Sequence, residues 1–394
     1  MSHLRCCHIP KLLLSLGCIL FCVCVITDAS AKSKPKPKQT LPAASPMSAL
    51  SVPALTSEQR AALTSVRADP APEEIIRNSH YWVSNEHNHQ LWRDTIVDLG
   101  GALVGVGTDQ NYLLAGWARS SLIILMDFDE KIPVIHEIYA FFFSISSTPE
   151  DFHRRWLRKY SDDSVDKLTA HFTALITPIA AREADNKGLD DAKREKFIKR
   201  RVKRFVRTRV RIYKTTRGLL WRRLNRTKKK YQELKIPTFL SDQAEYDHIR
   251  SLWVGGRVLA IRGDLTADYT MLDISKALKA LDTPLNVLYT SNAEQYFDLT
   301  PTYRRNIIAS YWGERGVTLR TMAWGSLGFY DEKEQYHYNI QPSANFVAWM
   351  RESRVKNIGR MMFRGRTIKE RGFSVMTKLP PKSKRPPKVA AVPE

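Results

Sequence analysis

The chain has 394 residues, with 62 Lys and Arg against 40 Asp and Glu, for a formal net charge of +22. Its five cysteines (Cys6, Cys7, Cys18, Cys22 and Cys24) all fall within the first 31 residues. The remainder therefore has no disulfide framework, no thiolate metal site and no cysteine nucleophile, and its stability has to come from an apolar core.

Residues 1–31 read as an export signal. Arg5 and Lys11 precede an apolar run over 12–26, and Ala29-Ser30-Ala31 has the small-x-small pattern of a cleavage site, leaving Lys32 first. The run is shorter than the roughly 20 residues that span a bilayer with ease. A cleaved signal is thus preferred to a retained anchor, and the expected location is periplasmic or extracellular, with membrane association an option. Residues 32–72 then read as a Pro/Ala/Ser/Lys-rich linker with little large apolar content.

Mixed α/β patterning follows. Within 73–150, residues 101–106 read as a short buried strand, Gly107-Thr108-Asp109-Gln110 as a turn and 111–120 as a helix. A second strand over 122–126 ends in Asp127-Phe128-Asp129. Within 240–351, strands are expected at 257–261 and 285–289 and helices at 271–281 and 301–312. Two more strands, 317–322 and 335–340, close the sheet as an antiparallel pair. The alternation predicts a Rossmann-like α/β fold, a mostly parallel sheet with helices on both faces. Residues 352–394 read as a basic, Pro-rich tail, disordered toward its end.

Residues 151–239 lack strand signals and read as a helical, strongly basic insertion. Between positions 192 and 230 there are 19 Lys or Arg and one acid, Glu195, so this stretch carries +18 of the net charge. Ile198, Val202, Phe205, Val206, Val210 and Tyr213 run through it near helical spacing. A charge run is usually a solvated face, but no acid close in sequence offsets this one, and self-repulsion costs stability. The apolar stripe is expected to dock on the α/β domain. The cations of 199–211, from Lys199 to Arg211, are expected to meet an anionic envelope surface, either lipid head groups or acidic polysaccharide. Nucleic acid is the second choice, because no recognised nucleic-acid motif supports it.

Ligands of open parallel sheets bind at the carboxyl ends of the strands. There the sequence places Gly105 and Gly107, where backbone can approach a ligand, and Asp109 and Asn111 at the start of a helix. Asp127, twenty residues after Gly107, is suited to ribose hydroxyls. Asp264 ends the next strand, and Ser291 and Asn292 the one after. Each alone is commonly a turn residue, but four successive strand ends of this kind point to a nucleoside-like site.

Other chemistries are weaker. Gly105-x-Gly107-x-x-Gln110 lacks the third glycine of a dinucleotide fingerprint. His87-x-His89, with Glu86 or Asp94, is a poor metal candidate, because closely spaced histidines in a polar loop usually face solvent. No metal site is assigned. Gly325-Ser326-Leu327-Gly328 is one residue short of a nucleophile elbow. His136-Glu137 reads as a general base or, preferably, as part of a helix whose apolar face includes Ile138, Phe141 and Phe142. Trp82, Trp92, Trp117, Trp253, Trp312, Trp324 and Trp349 read as core or near-core packing.

Three stretches carry a resemblance: Tyr81-Trp82-Val83-Ser84-Asn85-Glu86, the run from Gly105-Val106-Gly107-Thr108-Asp109-Gln110 through Ala115, and Leu125-Met126-Asp127-Phe128-Asp129. With Tyr289-Thr290-Ser291-Asn292-Ala293-Glu294-Gln295-Tyr296, they resemble an uncharacterised, often exported bacterial family whose core is similar to SAM-dependent methyltransferases. The likeness covers 81–147 and 253–350. It implies that Gly105 to Gly107 lie under the amino-acid part of SAM, that Asp127 binds its ribose, that Asp264 approaches the adenine, and that Ser291-Asn292 begin the catalytic loop. The chain departs from that scheme at Thr108-Asp109-Gln110, where an acid repels a carboxylate.

Two functional expectations result. One is a binding protein attached to an anionic surface through its basic helix. The other is a SAM-dependent, methyltransferase-like enzyme acting on a small or envelope-linked substrate. SAM is made and held in the cytoplasm, so an exported chain favours the first.

Overall fold

A computed structural model describes residues 52–75, 78–323 and 335–381. The signal at 1–31, the linker up to residue 51, Trp324, Gly325-Ser326-Leu327-Gly328 and the chain beyond 381 lie outside these residues.

The first described helix, α1 (Ser57–Thr64), begins at a reciprocal cap in which Gln59 N donates to Thr56 Oγ1 and Thr56 N to Gln59 Oε1. The short α2 (Arg93–Ile96) precedes β1 (Ala102–Val106), α3 (Gln110–Trp117), β2 (Leu122–Asp127) and α4 (Lys131–Ile145). The helical segment holds α5 (Pro149–Arg154), α6 (Ser161–Asp185) and α7 (Asp191–Glu233). Next come α8 (Gln243–Val254), β3 (Val258–Arg262), α9 (Thr270–Ala280), β4 (Leu285–Ser291), α10 (Pro301–Ala309) and β5 (Trp312–Ala323). The last elements are β6 (Tyr336–Pro342), α11 (Ser343–Met350), α12 (Ile358–Gly365), β7 (Arg366–Glu370) and β8 (Phe373–Met376).

The strands form one eight-stranded sheet in the order β3-β2-β1-β4-β5-β6-β8-β7. Pairing is parallel from β3 through β5, and β6 runs antiparallel to β5. This is a mixed α/β fold of the Rossmann-like class with a mostly parallel sheet. The chain leaves β1 toward β2 and β3, then returns to the other side of β1 with β4. The topological switch point therefore lies between β1 and β4.

Alternation along the strands builds a core on each face. Leu103, Ile123, Leu125, Val287 and Leu319 pack with Tyr112, Ile135, Phe172, Tyr213 and Ile249, from α3, α4, α6, α7 and α8. Val104, Ile124, Met126 and Leu288 pack on the opposite face with Leu63, Met271, Ile307, Phe346 and Met361, from α1, α9, α10, α11 and α12.

Three sequence boundaries need correction. Part of the expected 32–72 linker is docked on the domain: Leu55, Leu63 and Val66 are buried, and Arg67 Nε pairs with Asp273 at 2.6 Å. Asp69, also buried, accepts the backbone N–H groups of Asp264, Tyr269 and Thr270. A few apolar residues and one well-placed acid suffice to anchor a segment whose composition reads as linker. The helix expected over 301–312 stops at Ala309, where Ser310 turns extended, and Trp312 opens β5 in register with Leu285. Finally, 352–377 is not tail. It contributes α12, β7 and β8 because Val355, Ile358, Met361, Met362 and Met376 are buried.

Candidate functional site

The β1–α3 turn lies at the switch point, and its glycines serve the turn's own side chains. A Cβ on Gly105 would collide with Asn111 Oδ1. Gly107 has φ +80°, and a Cβ there would lie 2.6 Å from Gln110 Nε2. Asn111 is fully buried and donates from Nδ2 to Val106 O at 3.0 Å and Thr108 O at 3.2 Å. The space over the glycines, which the resemblance assigns to the amino-acid part of SAM, is thus taken by Asn111 and Gln110.

Asp109 is buried and engaged within the protein. Arg223, from α7, donates Nε to its Oδ2 at 2.9 Å and Nη1 to Glu86 O at 2.9 Å. Burial pulls the Arg223 guanidinium down, but the charge and bond of Asp109 outweigh it and hold Arg223 above its ordinary value. The same turn is braced by His136, which bridges Tyr112 Oη at 2.7 Å and Gly107 O at 2.9 Å. Burial pushes His136 down to about 4 despite the bond to Gly107. It lies within α4, and the adjacent Glu137 is taken by Arg209 at 2.6 Å.

Asp127 ends β2 and caps the turn with both oxygens, accepting from Gly107 N at 3.2 Å and Asp129 N at 2.9 Å. Burial pushes it up to about 7; its two backbone bonds oppose that shift and the neighbouring Asp129 charge adds to it. Asp264 stands apart from this group. Its Oδ1 accepts from Thr266 N at 2.7 Å and Thr266 Oγ1 at 2.8 Å, a local turn. Ser291, at φ 52°, donates to Glu86 Oε1 at 2.6 Å. Asn292 Nδ2 donates to Tyr296 Oη at 3.4 Å.

Glu86, which the sequence suggested only as a helper in a poor metal candidate, is the hub of this group. It is buried, and its carboxylate also accepts from Tyr289 Oη at 2.5 Å and Thr321 Oγ1 at 2.6 Å. His89 Nε2 lies 3.4 Å away. Burial raises the Glu86 pKa, but His89, Ser291 and Thr321 more than compensate and hold it below the usual carboxylate range. A second buried cluster joins β4 to β5 and β6. Glu294 accepts from Arg320 Nε at 2.6 Å, Tyr303 Oη at 2.5 Å and Thr290 Oγ1 at 2.8 Å, while Arg320 Nη1 donates to Gln341 Oε1 at 2.6 Å. A charge in the middle of the expected strand 317–322 was the available signal for Arg320. For Arg223, one among many basic residues, there was none.

His87 turns to Arg223, and Asp94 is exposed. Among the described residues no three His, Cys, Asp or Glu side chains converge to hold a metal. A cavity of about 560 Å³ opens beyond the ends of β4 and β5, lined by Glu294, Gln295, Met322, Arg360, Phe363 and Arg364. None of the site residues chosen from the sequence lines it, although Glu294 and Gln295 belong to the stretch 289–296.

The basic segment is one continuous helix. By its rise per residue, α7 is about 64 Å long. Its inward side is neutralised: Arg201 pairs with Glu183, Arg209 with Glu137, Arg223 with Asp109 and Lys228 with Glu150. Lys199, Lys203, Arg207, Arg211 and Lys214 are exposed at intervals of three or four residues, along one face, and Arg200 is exposed beside Lys199. Among the described residues none of these side chains has an acid partner.

Residues 81–377 match a family described as a domain of unknown function, DUF7790. The chain belongs to the DUF7790 family. No curated protein matches it. The DUF7790 match runs through both α/β halves and the helical segment between them, so α6 and α7 are part of the family's domain.

Proposed function

We propose that this DUF7790 member is an exported binding protein that attaches to an anionic surface through α7. The observation that carries the reading is the row of exposed cations from Lys199 to Lys214, which have no acid partner among the described residues, while Arg201, Arg209 and Arg223 of the same helix are paired. Such a row gains free energy by releasing counterions or binding fixed anions, and it steers encounter with a negative surface. The acids at the strand ends support the same reading, because Asp109, Asp127 and Asp264 are each engaged by the protein itself. The test is charge reversal of Lys199, Lys203, Arg207 and Arg211 to Glu. Retention of the chain on an anionic matrix should be lost with the fold intact, whereas Asp127→Ala should leave retention unchanged. Retention that survives the reversal sinks the reading.

A second reading, a SAM-dependent methyltransferase-like enzyme, draws on the switch point and on Arg223. Its charge neutralises Asp109, the acid that would otherwise repel the carboxylate of SAM. For SAM to lie over Gly105 and Gly107, the side chains of Asn111 and Gln110 would have to leave those positions. This is why binding is preferred. Calorimetric titration with SAM and its demethylated product decides: micromolar heat that disappears in Asp127→Ala favours the enzyme, and no heat removes it.

A further inference from the structure

We infer that α6 and α7 together form a peripheral lipid-binding arm whose partner is the surface of an anionic phospholipid bilayer. The inference rests on the reading of α7 above and names the surface it meets.

The argument starts on α6. Leu168, Phe172, Ile176, Ala180 and Ala184 recur every four residues and are buried. Phe172 meets Phe205 of α7 edge-on at 6.1 Å, and the Arg209 guanidinium lies 3.2 Å from the centre of the Phe205 ring. That stripe accounts for the packing of the two helices. It does not account for the rest of α6. Positions 169–181 contain no Asp, Glu, Lys or Arg, although most of them face water. Leu175 and Ile179, one turn apart, are each 46% exposed. A helix face that meets only water normally carries charge, as the outward side of α7 does.

One surface is taken to meet both the uncharged, partly apolar face of α6 and the exposed cations of α7, which have no acid partner among the described residues. A nucleic acid or an acidic polysaccharide would neutralise α7 and leave Leu175 and Ile179 in water. A second copy packed along α6 would cover the apolar residues, leave the cations unpaired and set two such rows side by side. An anionic bilayer satisfies both helices. Phosphate head groups neutralise α7, and the boundary between head groups and acyl chains accepts Leu175 and Ile179. Among the described residues no helix is long and apolar enough to cross a membrane.

The test is sedimentation of the whole protein with vesicles of phosphatidylcholine alone and of phosphatidylcholine mixed with phosphatidylglycerol. Binding is expected to the mixed vesicles and not to the neutral ones. Replacing Leu175→Ser and Ile179→Ser together preserves charge and should weaken partition on the order of tenfold or more, with retention on an acidic polysaccharide unchanged. Leu175→Trp should add a blue-shifted component to the emission difference spectrum when mixed vesicles are present. Undiminished vesicle binding by the double Ser variant, or no shift from Trp at 175, overturns the lipid arm and leaves the α7 reading standing. Retention on polysaccharide or nucleic acid without vesicle binding also overturns it. Vesicle binding that survives reversal of Lys199, Lys203 and Arg207 instead sinks the α7 reading itself.

Discussion

Arg223 and Asp109 form a buried ion pair, Nε to Oδ2 at 2.9 Å, that ties the basic helix to the turn after β1. One partner comes from the helical segment and the other from the heart of the sheet. Neither can be removed alone without burying an uncompensated charge.

Arg223→Met is therefore expected to destabilise the protein by about 3–5 kcal/mol. Adding Asp109→Leu should recover much of that loss, since an apolar pair of similar volume avoids the stranded charge. Urea unfolding of the four proteins in the double-mutant cycle measures the coupling. Two additive single effects would show that the pair contributes nothing specific.

Gly105→Ala tests the claim that this glycine makes room for Asn111. The added methyl meets Asn111 Oδ1, and the cost should be about 1–3 kcal/mol. In an Asn111→Ala background the same change should cost distinctly less. A thermal-unfolding comparison of the two backgrounds reads this directly.

His136 gives stability a defined acid limb. Its pKa is held at about 4 in the fold, against an ordinary 6.5, so it is neutral when folded. As pH falls from 6.5, the unfolded chain takes up the proton first, and stability is lost until pH reaches about 4. The loss from this residue is at most about 3 kcal/mol. Burial likewise pushes His153, His248 and His337 to about 4. His136→Gln should flatten the acid limb relative to the native chain, as chemical unfolding between pH 4 and 7 will record.

Asp127 acts with the opposite sign. With its pKa raised to about 7 from an ordinary 3.8, the folded chain holds a proton that the unfolded chain has released. Its contribution is best below pH 3.8 and declines as pH rises through 7. The stability of Asp127→Asn relative to the native chain should therefore rise from pH 4 to pH 8. A difference that stays flat would show that Asp127 titrates normally.

Most of the sheet was legible from the sequence, because unbroken apolar runs such as 122–126 and 285–289 read as buried strands whatever they touch. The switch-point turn was legible for the same local reason, in its glycines and strand-end acids. What those residues do was not. Asp109 read as a ligand contact because its partner, Arg223, lies 114 residues away among other basic side chains. Asn111 read as a helix start, while the structure folds its amide back over Gly105. Residues 352–377 read as tail because β7 and β8 are short and find partners only once β6 is in place. Local pattern reports which segments are buried. The pairing of polar groups within them depends on contacts far along the chain.

The length of α7 gives the Arg223 anchor one more consequence. Each residue of a helix turns the chain by roughly 100°, so seating Arg223 on Asp109 sets the azimuth of every side chain upstream. Lys199, Arg207 and Lys214 point outward partly because a residue further along the same rod is keyed into the sheet. Inserting a single residue between 214 and 223 would leave the composition of the helix almost unchanged while rotating the cationic row by about a quarter turn relative to the domain. The buried pair thus works as an index pin, and the aim of the cationic row is decided by a residue further along the helix than the row itself.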